Sequence, residues 1–524
     1  MSFGAALTRR DLLQRALAAS AGLGLPPRAW AALRTDTHPF GLGVASGSPT
    51  ASSVVLWTRL LVPVGQGPAT VRWELAHDEQ FSRLVQSGQT QALPELAHSV
   101  HVEVQGLAPD RWYFYRFVAG EAASATGRTR TFPAPDAVVA RLRLAYASWQ
   151  RWEHGYYSAW RHMRDENLDL VLFLGDYIYE YPNAPLAVRV PSGGWVLSLD
   201  DYRQRYALHR GDADLQAMHA ACPWLVTWDD HEVQNDYAGD SEGSSGLPVA
   251  DFPARRAAAW QAFYEHMPVP AAALTRAMAG LAAGAEMRIY SRQPYGRLAS
   301  LAMLDARQYK DVQVCTRDGK KGASTLDPAT CASWKDAGRS MLGRAQERWL
   351  DAGFARPDSR ERHWNVLGQT TLFGQRDFRR GPGQVLWNDG WDGYAAARTR
   401  LTGALQQHGV ANPVLLGGDV HENWVGHVKA DYADAASPAV GVEFCGTSIT
   451  SRSAGNARIA ELLAENPHFV FADSERRGYG VAEFTPQRLT TTLRVVSDVT
   501  RQDSSIETLA QFSVQAGRSV IEKS

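Results

Sequence analysis

Three short clusters of carboxylate, imidazole and phenol side chains, each preceded by an apolar run, are where this chain could do chemistry. Gly175-Asp176-Tyr177-Ile178-Tyr179-Glu180 comes first. Trp228-Asp229-Asp230-His231-Glu232 follows, with Asn235 just beyond, and Gly417-Gly418-Asp419-Val420-His421-Glu422-Asn423 comes last. Carboxylates gathered at the ends of apolar segments are electrostatically costly unless cations neutralise them. Oxygen-rich ligands with a few imidazoles suit hard or borderline ions such as Ca²⁺, Mn²⁺ and iron. A pair of such ions is a usual device for cleaving phosphate esters, because it holds both the nucleophile and the phosphoryl oxygens.

The apolar runs must position these clusters. Leu142 to Ala147 reads as a strand, Tyr157 to Glu166 has helical spacing, and Leu168 to Leu174 is a nearly continuous apolar strand ending at Gly175-Asp176. That is a βαβ unit whose second strand should be buried on both faces. Similar runs recur at 224–228, 298–304, 364–367 and 413–416, and most end in polar residues. In an open α/β sheet, functional groups gather at the carboxyl ends of the strands. Arg307, after the run ending Leu304-Asp305, could face phosphate or serve a structural ion pair. Alternating strands at 480–484 and 489–496 close this unit, taken as residues 140–500, and the tail 501–524 reads as helical.

The 524 residues exceed one ordinary core and predict two to four domains. Residues 36–135 hold short β-branched or aromatic strands separated by Gly and Pro, the pattern of an all-β sandwich. Within it, Leu107-Ala108-Pro109 and Tyr113 match the corner of fibronectin-like sandwiches, where a tyrosine hydroxyl ties a strand to the preceding loop. Residues 1–31 carry Arg9-Arg10, a mildly apolar stretch and a small-x-small site at Ala29-Trp30-Ala31, the form of a twin-arginine signal peptide. Export by that machinery to a periplasmic or extracellular location is expected. The stretch is too short and glycine-rich for a stable membrane anchor. A net charge of −1 gives no basic field for nucleic acid. Of four cysteines, Cys315 and Cys331 bracket a polar loop and could close a disulfide, while Cys222 and Cys445 lie in apolar runs. Many of the 17 tryptophans, including Trp152, Trp228, Trp391 and Trp424, stand beside polar residues, which suits rings lining a cleft.

Taken together, Gly-Asp-x-x-Tyr, a middle x-Asp-His-Glu and a late Gly-x-x-His resemble the graded pattern of calcineurin-like metallophosphoesterases. The wording Gly-Asp-Tyr-Ile-Tyr-Glu, Trp-Asp-Asp-His-Glu and Gly-Gly-Asp-Val-His resembles the PhoD-like alkaline phosphatase/phosphodiesterase family in particular. The resemblance implies a four-layer α/β fold, a β-sandwich flanked by helices, behind the immunoglobulin-like domain. It implies an exported enzyme hydrolysing phosphodiesters or phosphomonoesters with two or more metal ions, iron and calcium. Carried over, Asp176 bridges the metals, Tyr179 and His421 bind iron, and Asp230 and Asp419 serve calcium with Asn235 nearby. His231 then bonds the phosphate or the leaving oxygen. One position departs: Trp149 stands in Ala147-Ser148-Trp149-Gln150 where the family has a cysteine ligand, and an indole cannot ligate. A substitute ligand such as water, Glu153 or His154, a different metal, or a weakened site would follow. The rival readings are a non-catalytic phosphate- or ligand-binding relative and a carbohydrate-binding protein that uses the sandwich and its tryptophans.

Overall fold

The strand Leu170–Leu174 shows how this sequence makes its layers. Leu170, Leu172 and Leu174 point to one side and join a core shared with a second sheet, while Val171 and Phe173 point to the other and pack on helices. With both faces apolar, such a strand is stable only between two covering layers. The computed structural model describes residues 38–183, 187–190, 193–243, 249–274, 286–317 and 320–524. The proposed signal, 1–31, lies outside them. Among the described residues no helix is long and apolar enough to cross a membrane.

Two large sheets stack face to face. From edge to edge, the larger runs Ile521–Lys523, Ile506–Gln515, Arg488–Val496, Gly478–Phe484, Leu142–Ala147, Leu170–Leu174, Trp224–Thr227, Val44–Gly47, Ser53–Arg59 and Ser99–Gln105. The smaller runs Ser291–Tyr295, Ala299–Met303, Trp364–Thr371, Pro413–Gly418, Ala439–Cys445, Asn423–Lys429 and Phe469–Asp473. The centre of each is parallel. Tyr146, Leu172, Leu174 and Phe484 meet Leu301, Val366, Leu416 and Phe444 between the sheets. Helices Ser158–Arg164, Leu199–Arg210, Ala213–Ala221 and Phe252–His266 cover the outside of the larger sheet. Gly343–Phe354 and Ala395–Gln407 cover the smaller. The expected four layers are present.

The tail 501–524 is corrected from helix to strand. Ile506–Gln515 and Ile521–Lys523 extend the larger sheet through pairing with Arg488–Val496. Within it Ala510, Phe512 and Val514 alternate into the inter-sheet core, a period of two that decides for strand over helix.

The N-terminal domain is a sandwich, but its second layer is borrowed. Ala69–Ala76, Leu84–Ala92, Trp112–Ala119, Ala122–Ala123 and Gly127–Arg130 form one sheet. It packs on Val44–Gly47, Ser53–Arg59 and Ser99–Gln105, which belong to the ten-stranded sheet. Gly47 pairs with Trp224 in parallel, and a Cβ there would come within 2.7 Å of the Trp224 carbonyl oxygen and 2.6 Å of that of Pro268. Only glycine permits that approach. Three strands of the expected N-terminal sandwich thus continue the larger sheet, a long-range pairing that leaves no local signature. The tyrosine corner forms: the Tyr113 hydroxyl accepts from Ala108 N–H at 3.1 Å and donates to its carbonyl at 3.3 Å.

Candidate metal and phosphate site

The carboxyl ends of parallel strands from both sheets converge on one cleft. Trp149 follows the strand Leu142–Ala147, and Asp176 follows Leu170–Leu174. Asp229, Asp230 and His231 follow Trp224–Thr227, and Asp419 and His421 follow Pro413–Gly418. Trp149, Asp176, Asp419 and His421 have φ of 58°, 56°, 66° and 56°. Left-handed backbone is costly for such residues and survives where surrounding structure over-determines it, a condition that active sites meet.

Asp176, Asp230 and His231 place one ligand atom each within 4.8 Å of one another. Asp176 is buried; its Oδ1 accepts the His231 main-chain N–H at 3.3 Å, and its Oδ2 has no partner. Burial, then Asp230 and Asp229, raises its pKa well above the usual carboxylate range. Burial likewise pushes Asp419 up to about 6 and Asp229 to about 7, each against the opposing pull of Arg307. These carboxylates repel one another in a dry cleft, and a cation relieves the repulsion. Asp419 accepts from the Thr371 hydroxyl at 2.7 Å. Glu232 braces the loops, accepting from the N–H groups of Tyr177, Asp229 and Asp176 at 2.7, 2.8 and 3.1 Å.

Glu180 holds His231, with Oε2 2.7 Å from Nδ1. Burial alone would lower the His231 pKa, but Glu180 and Asp230 overcome it and the ring sits above its ordinary value. His421 donates from Nδ1 to the Arg452 carbonyl at 2.9 Å, which fixes the tautomer and turns the Nε2 lone pair toward the Tyr179 hydroxyl, 3.5 Å away. Burial pushes its pKa down to about 3, so the ring is neutral. The Tyr179 hydroxyl is also 2.6 Å from Ser451 Oγ. Asn235 is placed by its main-chain N–H on Glu180 at 2.7 Å, and its side chain makes no hydrogen bond among the described residues.

The structure adds residues that the sequence reading did not single out. Asp230 forms a second group with Asp236 and Asp389, ligand atoms again within 4.8 Å. Asp389 lies two residues before the Trp391-Asp392-Gly393-Tyr394 run, in a stretch with no strand pattern to mark it. Arg307 is buried among the carboxylates: it bonds Asp229 and lies 2.7 Å from Asp389 and 3.5 Å from Asp230, which ties its charge to this acidic cluster, although its Nη1 makes no hydrogen bond among the described residues. Trp228, Trp391 and Trp424 are fully buried, so they fill core instead of lining the cleft.

Trp149 is buried beside His421, ring centroids 6.3 Å apart. A Cβ on Gly418 would meet its ring at 1.8 Å, so this tryptophan requires the glycine that precedes Asp419. No other thiol takes the cysteine's place. Cys445 donates to the Gly418 carbonyl at 3.2 Å and lies in the apolar cluster with Trp424, while Cys222 lies in the helix-covered core; Trp149 and Tyr179 belong to the inter-sheet core. Neither Glu153 nor His154 belongs to a cation-holding group among the described residues. The carboxylate side of the cleft therefore fits a hard cation, and on the Tyr179–His421 side Trp149 supplies no donor to a metal where the family resemblance implies a cysteine ligand.

Comparison with known proteins gives the same direction. Residues 144–493 match the family model described as PhoD-like phosphatase, and residues 27–133 match that of the PhoD-like phosphatase N-terminal domain. Alkaline phosphatase D of Bacillus subtilis (strain 168) is 42% identical over 507 residues, covering 94% of this chain and 84% of the relative. A solved structure titled "Structure of PhoD" superposes with a TM-score of 0.87 at 41% identity, covering 94% of this chain and 93% of that one. With this identity, this coverage and a cleft lined by the resemblance's own residues, the chain belongs to the PhoD-like phosphatase family and is a phosphoesterase.

Proposed function

We propose that this phosphoesterase is metal-dependent, exported, and active on phosphodiesters, phosphomonoesters or both. The carrying observation is the buried Asp176 carboxylate with one oxygen unpaired among Asp229, Asp230 and Asp419. Asp176, Asp230 and Asp419 would hold a calcium-like divalent cation, with Asn235 beside them. Tyr179 and His421 face the same cleft from the opposite wall. Such a cation supplies Lewis acidity to a phosphoryl oxygen and offsets its charge. The protein's own groups do the remaining positioning. Glu180 fixes the His231 ring so that Nε2, 3.8 Å from Asp176, is presented to a phosphate or leaving-group oxygen. Glu232 locks the two loops that carry Asp176 and Asp229.

The non-catalytic alternative is disfavoured by this carboxylate set and by the 42% identity to an alkaline phosphatase. The test is turnover of a chromogenic phosphodiester with added Ca²⁺ or Mn²⁺. Asp176→Asn should lower turnover by at least about 100-fold and remove bound cation; a variant that keeps both would sink the assignment. For export, support comes from Arg9-Arg10 and from the Cys315–Cys331 disulfide, a bond suited to an oxidising compartment. Replacing both arginines with lysine should leave the protein in the cytoplasm, and unchanged export would overturn that part.

A further inference from the structure

The cleft has two chemically opposite walls. One carries Asp176, Asp230 and Asp419. The other carries hydrogen-bond donors that nothing in the protein uses. Trp149 is 1% exposed and its indole N–H makes no hydrogen bond among the described residues. Arg151 is 3% exposed, with its guanidinium carbon 4.4 Å above the rings of both Tyr179 and Tyr181. One terminal nitrogen donates to the Tyr181 carbonyl at 2.7 Å. Its Nε is buried without a partner, and the nearest carboxylate, Glu153, is 3.8 Å away. A guanidinium offers five N–H donors, and burying one with a donor unpaired is costly. Ser451 ties this wall together: its Oγ accepts the Arg151 main-chain N–H at 3.3 Å and bonds the Tyr179 hydroxyl.

We propose that Trp149 and Arg151 form an oxyanion subsite. The indole N–H and the unused guanidinium N–H groups donate to non-bridging oxygens of the substrate phosphate, while the cation is confined to the carboxylate wall. This rests on the reading of the cleft as a phosphoesterase site and assigns the recognition of phosphate charge to residues peculiar to this wall. It also gives a use to the position beside Tyr179 and His421, where Trp149 stands in place of a ligating thiolate and donors face an anion. The planar guanidinium, stacked and prepaid in conformational entropy, suits a tetrahedral oxyanion better than a flexible ammonium would.

The experiment is calorimetric titration of inorganic phosphate into the calcium-loaded protein, which needs no turnover. Arg151→Met should weaken phosphate binding by about tenfold or more, and Trp149→Phe, which keeps the ring but loses the N–H, by about fivefold. Arg151→Lys should fall between native and Arg151→Met. Calcium content should stay as in the native protein, and thermal unfolding shows whether each variant is folded. Native phosphate affinity in folded Trp149→Phe and Arg151→Lys would overturn the proposal. So would one equivalent of tightly held iron in the native protein. A native protein that binds phosphate through these residues yet hydrolyses no phosphodiester or monoester would instead overturn the functional reading and leave the subsite standing.

Discussion

Trp149 shows how a single residue can redirect a site. Its indole fills space that a smaller side chain would leave open, and Gly418 accommodates it by having no Cβ. Two outcomes follow. Trp149→Cys introduces a group that, once deprotonated, can coordinate; it should slow loss of bound metal under graded chelator treatment, and identical retention would contradict this account. Gly418→Ala should destabilise the native protein by about 1–3 kcal/mol through overpacking. The cost should shrink in the Trp149→Cys background, because the nearest clash is with the indole, 1.8 Å from the added carbon. Part should remain, since Ser148 Oγ is 2.6 Å away. A double-mutant cycle on denaturant midpoints measures the coupling, and strict additivity would place the strain elsewhere.

At the scale of elements, the sequence was most legible where one local period decided the matter. The strand at 170–174, the helix at 158–164 and the tyrosine corner at Tyr113 all follow from short patterns. The tail at 506–515 was misread because its alternation is weak: Ile506 and Glu507 are not core-facing in the way Phe512 and Val514 are. Cys315 and Cys331 were paired on the strength of the polar loop between them, and they are bonded across a separation of 16 residues. In the chain-entropy view such a closure is worth up to about 3 kcal/mol. Replacing both with serine should lower thermal stability by an amount of that order, with activity largely kept, since neither residue reaches the cleft. An unchanged unfolding midpoint would show that the loop is held by its other contacts.

For the whole molecule, the acidic wall couples metal to stability. Unneutralised carboxylates at the junction of the two sheets oppose folding, and an ion that binds only the folded state stabilises it. At calcium a hundredfold above its dissociation constant the gain is about 2.7 kcal/mol. Calcium should therefore raise the unfolding temperature of chelator-treated protein. The pH dependence has a definite sign. Burial pushes Asp419, one of the proposed ligands, up to about 6, so it keeps its proton into the mildly acidic range, and that proton must leave before the oxygen can ligate. The calcium-induced rise should be larger at about pH 8 than at about pH 5.5. A rise independent of pH, or none, would mean that Asp419 does not hold the ion.

The amino-acid sequence alone determined which residue types stand at strand ends, because hydrophobic periodicity and short motifs are local. Asp176, Tyr179, Asp230, His231, Asn235, Asp419 and His421 are singled out that way, and the βαβ pattern and the β-rich N-terminal part are legible in the same local signals. The tertiary structure decided what they are opposed to. Arg307 became the brace of Asp229 and Asp389, Gly47 joined the N-terminal strands to the catalytic sheet, and Arg151 came to lie over Tyr179 with its Nε making no hydrogen bond. Ser451 tied Arg151 to Tyr179 from a position 300 residues beyond Arg151 along the chain. Such relations depend on which faces of distant strands are brought within hydrogen-bonding reach. Local spacing carries no trace of that, because it is fixed by packing two sheets against one core.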